Sequence, residues 1–399
     1  KKFIFSLIAI LLIFICLEII TKVTLILFKK PTVFKTLIDD SEHSGYDFLT
    51  GFYNYPFKKK TFEKGKKKKF IEQATDRYGF NLDGKRINDK DLSKKDQCEF
   101  RIFLLGGSTV QGRAIKDTND PISARLESQL KNLNKNISFK VYNAGTSSFF
   151  SQQELMLVQN RILYALKPEQ IIILNGSNDF IIPLGKDIYL SNSHDYQRYF
   201  QNQFNKQNNN FFIYFDTFLS KNLSIYFLTK KILEKASKIK LFYKDQSILE
   251  EIPDKTYHQK KVMRYFYNTN ILKKLSSNKT NIDIFFQPTM LPENLKNLSE
   301  QDIEIFKEYK KFQPGYFQNK EYFYNLIRKK IKDNMIKSNE FFKIHDISDL
   351  INNKKMTLPL FSDHVHYNSI SRQIIAEKIY AEIKNKVDKK IKTEFNNCI

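Results

Sequence analysis

The sequence predicts an α/β fold, a three-layer α/β/α sandwich with a mostly parallel sheet. Five short segments are almost wholly apolar, as is typical of strands that are buried on both faces of a sheet. Longer amphipathic segments lie between the early strands and after the last one. Such an alternation of continuous apolar strands with helices indicates a parallel sheet that is covered on both sides.

The elements follow one another in a regular order along most of the chain. The predicted strands are residues 100–105, 139–142, 171–174, 282–286 and 341–344, and the predicted helices are residues 121–133, 152–166 and 370–387. In the first helix Ile122, Leu126 and Leu130 recur every four residues, which places them on one face. Residues 181–279 interrupt this order, and we expect them, like residues 302–337, to form helices added to the same domain.

Composition excludes several classes of protein. With 399 residues, 41% of them hydrophobic and 36 of them Phe, the chain is long and apolar enough to fold as one large or two medium domains rather than stay disordered. Twelve Gly and ten Pro exclude a collagen-like chain, and three Cys exclude a fold built on disulfides or a zinc site made of cysteines. Cys98 and Cys398 could pair, but nothing in their spacing requires it, so we expect free thiols.

The formal net charge of +23 is compatible with nucleic acid, an anionic membrane surface or an acidic polymer as a partner. The excess is mostly Lys, in a chain that is also rich in Asn, Ile and Phe. All four residue types have A/T-rich codons, so biased base composition accounts for much of the charge without any ligand. The Lys residues are dispersed, and we expect no nucleic-acid partner.

The N-terminal segment has the pattern of a membrane anchor. Lys1 and Lys2 precede residues 3–17, which carry no charge, and a second apolar run follows at residues 23–28. A cleavable signal peptide would need small residues after the apolar core, where Leu17 to Ile20 stand instead. We therefore predict one uncleaved transmembrane helix over residues 1–28. Lysines on both sides of this segment leave its orientation open.

The predicted domain organisation follows from these segments. Residues 29–95 are a Lys-rich juxtamembrane linker and lead-in, and residues 96–390 are the α/β domain with a helical insertion at about 181–280. Residues 391–399 form a C-terminal tail.

Polar glycine-containing turns follow the first three strands. Gly106-Gly107-Ser108 follows the first, Asn143-Ala144-Gly145 the second, and Gly176-Ser177-Asn178-Asp179 the third. Each could be a plain turn, but the carboxyl ends of parallel strands meet at one edge of a sheet, where active sites of doubly wound folds lie. No Lys follows the glycines in the position that a phosphate-binding loop requires.

A second group of polar residues, Asp363-His364-Val365-His366, stands just before the last predicted helix. A nucleophilic Ser needs a base, usually a neutral imidazole, and the base needs a carboxylate that fixes its tautomer. Asp363 lies three residues before His366 and can supply that carboxylate from the same loop. His364 is the competing base, although in an extended loop its ring would point opposite to those of its neighbours, one residue out of register.

These four blocks resemble the motifs of the SGNH (GDSL-like) hydrolase family. The matched parts are Gly107-Ser108, Gly145, Gly176-Ser177-Asn178-Asp179 and Asp363-His364-Val365-His366, in the family's order, and they cover roughly residues 100–179 and 361–369. Gly107 stands where many members have Asp. The Gly-Gly-Ser-Thr form, the segment Tyr78-Gly79-Phe80-Asn81 and the N-terminal anchor are similar to the membrane-anchored branch of the family.

The resemblance implies a flavodoxin-like sandwich and a set of residue roles. Ser108 would be the nucleophile, His366 the general base and later acid, and Asp363 the group that orients His366. The oxyanion hole would consist of the backbone N–H groups of Ser108 and Gly145 and the side-chain amide of Asn178. Asp179 would cap the turn that follows it. Neither a metal nor another cofactor is expected.

The implied function is a membrane-anchored serine esterase outside the cytoplasm, periplasmic or at the cell surface. Its expected partner is an acylated carbohydrate or another ester, with O-acetyl groups on envelope glycans as the expected class. Two alternatives stay open: an O-acetyltransferase that acts on exopolysaccharide with the same triad, and a catalytically silent envelope scaffold that uses the net charge. The motifs build only the acyl-transfer machinery, so they do not specify the substrate.

Overall fold

The computed structural model describes residues 17–18, 44–47, 51–54, 59–62, 71–75, 78–81, 91–112, 120–181, 255–313, 315–350 and 357–398. The chain divides into two compact units, one of Lys1–Ser41 with Gln197–Glu250 and one of Glu42–Tyr196 with Glu251–Ile399. In the first unit the described residues are the helical Leu17 and Glu18. Every element below belongs to the second unit.

The described strands and α-helices can be numbered along the chain. The strands are β1 (Ser44–Asp47), β2 (Gly51–Asn54), β3 (Lys59–Phe62), β4 (Ile71–Ala74), β5 (Glu99–Gly106), β6 (Ser138–Asn143), β7 (Gln170–Asn175), β8 (Asn281–Phe286) and β9 (Phe342–Asp346). The helices are α1 (Ser108–Gln111), α2 (Ile122–Leu130), α3 (Ser151–Leu157), α4 (Ser177–Ile181), α5 (Lys255–Leu275), α6 (Glu300–Phe312), α7 (Tyr316–Lys332) and α8 (Ser369–Glu394).

The central sheet has five strands in the order β6-β5-β7-β8-β9, and every neighbouring pair is parallel. This is the 2-1-3-4-5 order of flavodoxin-like doubly wound sheets. The strand pairs β1–β2 and β3–β4 are separate antiparallel hairpins. Because β5 lies between β6 and β7, the turns after these three strands leave the sheet side by side.

Helices cover both faces of the central sheet. On one face, α3 and α5 contact each other and close a core that includes Phe103, Leu105, Leu155, Ile171, Ile173 and Leu272. On the other face, Glu127 of α2 accepts a hydrogen bond from the Val141 N–H of β6 (2.8 Å), and Lys386 of α8 pairs with Asp283 of β8 (2.8 Å). The strands are therefore buried on both sides, which explains their continuous apolar sequences.

Side-chain caps fix where two long helices begin. The Ser299 hydroxyl accepts a hydrogen bond from the Asp302 N–H (3.2 Å) at the start of α6, and the Asn368 side chain accepts one from the Ser371 N–H (3.1 Å) at the start of α8. Gly315 separates α6 from α7 in the left-handed conformation (φ 87°), which a glycine adopts without strain. The predicted helical block 302–337 is therefore two helices.

The predicted parallel sheet with flanking helices is confirmed, and each strand lies within two residues of its predicted bounds. Helix α8 continues to Glu394, seven residues past its predicted end. The expectation of free thiols is wrong, because Cys98 and Cys398 form a disulfide that joins the segment before β5 to the end of the chain. Their separation of 300 residues made this pairing invisible to local sequence patterns.

The membrane prediction falls mostly outside the described residues. Of residues 1–28 only Leu17 and Glu18 are described, and both are helical. Among the residues that the structure describes, no helix combines the length and the apolar character that a membrane crossing requires. Most of the predicted insertion at 181–280 also lies outside the described residues, apart from its last part, which contains α5.

Candidate active site

The turn between β5 and α1 presents Ser108 at the carboxyl edge of the sheet. Gly106 has φ 156°, and a Cβ there would lie 2.4 Å from the Leu174 carbonyl oxygen of the neighbouring strand. At Gly107 a Cβ would lie 2.3 Å from the side-chain nitrogen of Asn178. Gly106 therefore needs to be glycine, because a side chain there would clash with backbone, whereas a side chain at Gly107 would have to displace the Asn178 amide. The sharp turn at these two residues lets α1 begin at Ser108.

Three of the predicted residues form one hydrogen-bonded chain. The Ser108 Oγ lies 2.8 Å from Nε2 of His366, and the His366 Nδ1 lies 2.6 Å from Oδ2 of Asp363. Because the carboxylate can only accept, Nδ1 carries the ring proton and Nε2 offers its lone pair to the serine hydroxyl. Ser108 and His366 are buried, whereas the Asp363 side chain is 46% exposed.

The loop of Asp363 is shaped by its own carboxylate. Oδ1 of Asp363 accepts hydrogen bonds from the backbone N–H groups of Val365 and His366, both at 2.8 Å. Burial raises the pKa of Asp363, but the hydrogen bond and charge of His366 and these two N–H groups outweigh it and hold the pKa below its ordinary value. Asp363 is thus kept as a carboxylate, the form that orients an imidazole.

Hydrogen bonds fix the start of this loop to its own end and to helix α6. The Ser362 N–H donates to the His366 carbonyl oxygen (2.8 Å), which closes the loop on itself. The Asp302 carboxylate of α6 accepts hydrogen bonds from the N–H groups of Leu360 and Phe361, each at 3.0 Å for the nearer oxygen. The cap of α6 therefore also holds the strand-like entry to the loop in place.

His364 lies on the other side of the loop. Its ring stacks on Tyr309 with centroids 3.6 Å apart and meets the edge of Tyr316 at 5.7 Å. Burial, assisted by the charge of Lys320, lowers the pKa of His364 to about 4. Of the two histidines weighed as a base, the structure brings His366 rather than His364 to Ser108.

The predicted oxyanion donors lie at the ends of β5, β6 and β7. The Asn178 side-chain nitrogen donates to the Phe149 carbonyl oxygen (2.7 Å), which fixes the amide beside Gly107 and leaves it a second N–H. The Gly145 N–H donates to the Asn143 side-chain oxygen (3.0 Å). Gly145 thus differs from Asn178 in that its donor already has an acceptor in the protein.

Sequence reasoning missed the support beneath Gly145. The Asn81 side-chain nitrogen donates to the Gly145 carbonyl oxygen (2.7 Å), and the Asn143 side-chain nitrogen donates to the Val110 carbonyl oxygen (3.0 Å). A Cβ on Gly145 would lie 2.3 Å from the Gln111 nitrogen, so α1 packs directly on this turn. Asn81 belongs to the upstream segment that is similar to the membrane-anchored branch of the resembled family. Its structural role becomes visible only in the hydrogen bond with Asn143, which lies 62 residues away in the sequence.

Asp179 has a structural partner that the sequence did not predict. Its buried carboxylate accepts hydrogen bonds from the Ser151 N–H (3.2 Å) and the Ser151 hydroxyl (2.5 Å), so it caps the start of α3 rather than the turn that follows it. Burial raises the pKa of Asp179, and the charge of Arg264 opposes this shift. The residue next to Asn178 is thereby tied to α3 and α5.

Within the described part of the chain, no group of three or more His, Cys, Asp or Glu side chains is arranged to hold a metal ion. The acid–base groups that the site brings together are those of Ser108, His366 and Asp363. Their arrangement can move a proton from a hydroxyl to an imidazole and stabilise the resulting charge.

Comparisons with known proteins give distant structural likenesses only. No protein family and no curated protein matches the sequence. An acetyl xylan esterase is 14% identical, with a TM-score of 0.36, covering 71% of this chain and 100% of that one. An acetylxylan esterase from Geobacillus stearothermophilus is 13% identical, with a TM-score of 0.37, covering 71% and 94%. A lipase/acylhydrolase from Enterococcus faecalis is 11% identical, with a TM-score of 0.38, covering 72% and 96%. At these values the likeness assigns no activity, and the functional argument rests on the site itself.

Proposed function

We propose that the protein is a serine esterase of SGNH type that hydrolyses acyl esters. The observation that carries this proposal is the continuous chain from Asp363 through His366 to the Ser108 hydroxyl, with links of 2.6 and 2.8 Å. Nucleophilic acyl transfer needs a hydroxyl, an imidazole base that is held in one tautomer, and a carboxylate that orients the imidazole. Ser108, His366 and Asp363 supply these three groups.

In the proposed mechanism Ser108, His366 and Asp363 each act through one defined atom. The Ser108 Oγ attacks the ester carbonyl carbon while Nε2 of His366 takes the hydroxyl proton, and Asp363 stabilises the imidazolium through Nδ1. The oxyanion lies between the Ser108 N–H and the second N–H of the Asn178 amide. His366 then returns the proton to the leaving alcohol as the bond between the carbonyl carbon and that alcohol breaks. A water molecule next attacks the carbonyl carbon of the acyl-enzyme while Nε2 of His366 takes its proton. That proton passes to the Ser108 Oγ as the acyl–serine bond breaks and the acid is released.

The Gly145 N–H has a different place in this scheme. It donates to Asn143 in the free protein, so its use by the oxyanion requires that hydrogen bond to be shared or exchanged. Ser108 and Asn178 are therefore the principal donors of the proposed oxyanion hole, and Gly145 is the third.

The test of this function is an ester panel with 4-nitrophenyl acetate and butyrate, run on the wild type and on Ser108→Ala. We expect hydrolysis by the wild type, its loss in Ser108→Ala, and labelling of Ser108 by a fluorophosphonate probe. Ser147 is the matched control for labelling, because its hydroxyl donates to Gln111 rather than facing an imidazole. Full activity in Ser108→Ala would exclude the mechanism.

We further propose that the enzyme is anchored by residues 1–28, lies outside the cytoplasm and acts on O-acetyl groups of envelope glycans. The Cys98–Cys398 disulfide supports the location, because such bonds persist in oxidising compartments. Protease added to intact spheroplasts should digest the domain, and protection would place it in the cytoplasm.

The substrate is tested by acetate release from an O-acetylated polysaccharide, with Ser108→Ala as the control. Acetyl transfer to an added sugar instead of water would identify an acetyltransferase.

A further inference from the structure

Helix α7 carries a polar stripe on a face that is buried. Tyr316, Lys320 and Tyr324 are spaced by four residues and therefore lie above one another on one side of the helix. They are 3%, 0% and 0% exposed, although such a face normally presents apolar residues to the core. A fully buried lysine is rare unless its charge is paired.

The polar atoms of this stripe lack partners. Among the described residues, neither the Lys320 Nζ nor the hydroxyls of Tyr316 and Tyr324 has a hydrogen-bond partner. The Lys320 ammonium lies over the Tyr316 ring, 5.6 Å from its centroid, which satisfies none of its three donors. Leaving a buried polar group unpaired lowers stability, and leaving a buried charge unpaired lowers it more.

Two further hydroxyls face the stripe from other elements. Ser177 begins α4 and Thr289 follows β8, and both are buried without a hydrogen-bond partner in the described chain. Burial raises the pKa of Tyr324, and the hydroxyls of Thr289 and Ser177 lie close enough to oppose that rise. The donor cluster, as we name these residues, is Ser177, Thr289, Tyr316, Lys320 and Tyr324.

The donor cluster borders the proposed catalytic groups. Lys320 interacts electrostatically with Asp363 and lowers the pKa of His364, while the Tyr316 ring meets His364 edge-on. At its other end, Ser177 directly precedes Asn178, the proposed oxyanion donor. The donor cluster thus extends from the Asp363–His366 loop to the end of β7, between the proposed base and the proposed oxyanion donor.

The charges of the cluster select its ligand. It offers one buried cation and four hydroxyls that can donate, and the adjacent carboxylate, Asp363, is committed to His366. Burial lowers the pKa of Lys320 to about 7, with the charge of Asp363 acting in the opposite direction, so an added anion would favour the ammonium form. A monoanion balances this single charge, whereas a phosphate dianion would leave excess negative charge beside Asp363.

We propose that the donor cluster binds a carboxylate group of the substrate. This inference rests on the proposed esterase function for its place in catalysis, but the binding itself does not. The carboxylate could belong to the acyl part, as in a succinyl-type half-ester, or to the sugar part, as in a uronic acid. Both sources present the same group to Lys320.

Binding is tested in the Ser108→Ala protein, which cannot turn over an ester by the proposed mechanism. Calorimetric titration with succinate and with glucuronate should give saturable binding of at least one, and the one that binds identifies the source. Adding Lys320→Met should weaken that binding by tenfold or more, whereas Lys329→Met, at an exposed position of the same helix, should not. No binding of either anion, or equal binding by the Lys320→Met protein, would overturn the proposal.

Enzyme turnover gives an independent test. A ratio of kcat/KM values for two substrates is used, because a general loss of activity lowers both values equally and leaves the ratio unchanged. The ratio of kcat/KM for the 4-nitrophenyl half-ester of succinate to that for 4-nitrophenyl butyrate should fall by tenfold or more in Lys320→Met if the acyl part carries the carboxylate. For a sugar carboxylate the same fall should appear in the ratio of acetylated glucuronate to acetylated glucose. Lys329→Met should keep both ratios.

Failure of the two proposals can be told apart. Loss of every esterase activity together with lysine-dependent anion binding would refute the esterase and keep the carboxylate site. Hydrolysis of neutral esters with no lysine-dependent binding or preference would refute the carboxylate site alone. Replacement of an unpaired buried charge by Met should raise the Tm of the free protein, so a folded Lys320→Met variant is expected.

Discussion

Two of the histidines that the structure describes, His366 and His345, lie against aspartates, and their surroundings differ. His366 stands in a loop at the carboxyl edge of the sheet, with Asp363 on one ring nitrogen and the Ser108 hydroxyl on the other. His345 stands in β9, 2.8 Å from Asp283 of β8 through Nε2. Its Nδ1 lies 3.1 Å from a carboxylate oxygen of Glu382 on α8 rather than facing a hydroxyl.

The difference shows what a carboxylate–histidine pair needs in order to act as a base. Both nitrogens of His345 are directed at carboxylates, so neither is available to take a proton from a hydroxyl. Lys386 also pairs with Asp283 (2.8 Å), and the Phe285 ring stacks on His345 at 4.4 Å, which completes a packed ionic cluster between β8, β9 and α8. We interpret the His345 cluster as structural and the His366 pair as chemical.

The largest contrast is expected from removing each imidazole. His366→Ala should lower kcat on 4-nitrophenyl acetate by about a millionfold, since loss of the base from such a unit removes nearly all of its catalysis. His345→Gln should keep kcat and lower the Tm, because its imidazole only joins elements of the fold. Steady-state kinetics and thermal unfolding on the same two preparations separate these results. A strong loss of kcat in His345→Gln with an unchanged fold would erase the distinction.

A smaller contrast is expected from the two aspartates. Asp363→Asn should lower kcat by about 10,000-fold, because an amide can donate to Nδ1 and hold the wrong tautomer of His366. Asp283→Asn should leave kcat near that of the wild type. The double variant Asp363→Ala/His366→Ala should be little worse than His366→Ala alone, because losses within one unit do not add. Additive losses in that cycle would mean that Asp363 acts separately from His366.

The next largest effect is expected at Asn178, which is proposed to stabilise the negative charge of the oxyanion rather than to move a proton. Asn178→Ala should lower kcat by about 100- to 1000-fold with KM nearly unchanged, because an oxyanion donor acts mainly in the transition state. Asn178→Asp should be worse, since a carboxylate repels the oxyanion. Gly107→Ala should share the kinetic signature of Asn178→Ala, because its Cβ would displace the Asn178 amide. A rise in KM at constant kcat would make Asn178 a substrate-binding residue instead.

The same contrast explains how far the sequence could be interpreted. The turns after β5, β6 and β7 follow locally recognisable strands, which predicts that they meet at one edge of the sheet. The resemblance to SGNH hydrolases added the Asp363–His366 pair, whose members are only three residues apart. The Asp283–His345 pair joins residues 62 apart on neighbouring strands, and no local pattern encodes it. The sequence before His345 has no Asp-x-x-His motif, and the two carboxylates that contact this histidine come from other elements of the fold.

Other long-range features were unpredictable for the same reason. The Cys98–Cys398 bond spans 300 residues, and the polar stripe of α7 is recognisable only once that helix is known to face the core. Asn81 supports Gly145 across 64 residues. Such contacts depend on the strand order and register of the sheet. The periodicity of apolar residues predicts that a parallel sheet forms, but it does not predict which residues of different strands face each other.

The smallest predicted effect is on stability, and its pH dependence separates the structural cluster from the rest of the protein. Burial raises the pKa of Asp283, but hydrogen bonds with His345 and Lys386 outweigh it and hold the pKa below the ordinary value. A carboxyl group whose pKa is lowered by folding contributes stability above its unfolded pKa of about 3.9, and that contribution is lost as the pH falls through the folded value. Asp283→Asn should therefore cost about 1.5–3 kcal/mol of unfolding free energy at neutral pH, as for hydrogen bonds to a charged group.

This stability difference between the wild type and Asp283→Asn should be constant above about pH 5 and shrink as the pH falls below about 4. The exposed Asp333→Asn is the matched control, and it should show no such difference at any pH. Urea unfolding at a series of pH values measures it. A difference that grew on acidification would mean that Asp283 is buried protonated. His345 would then keep only Glu382 as a charged partner, and the proposed division between a chemical and a structural histidine would need another physical basis.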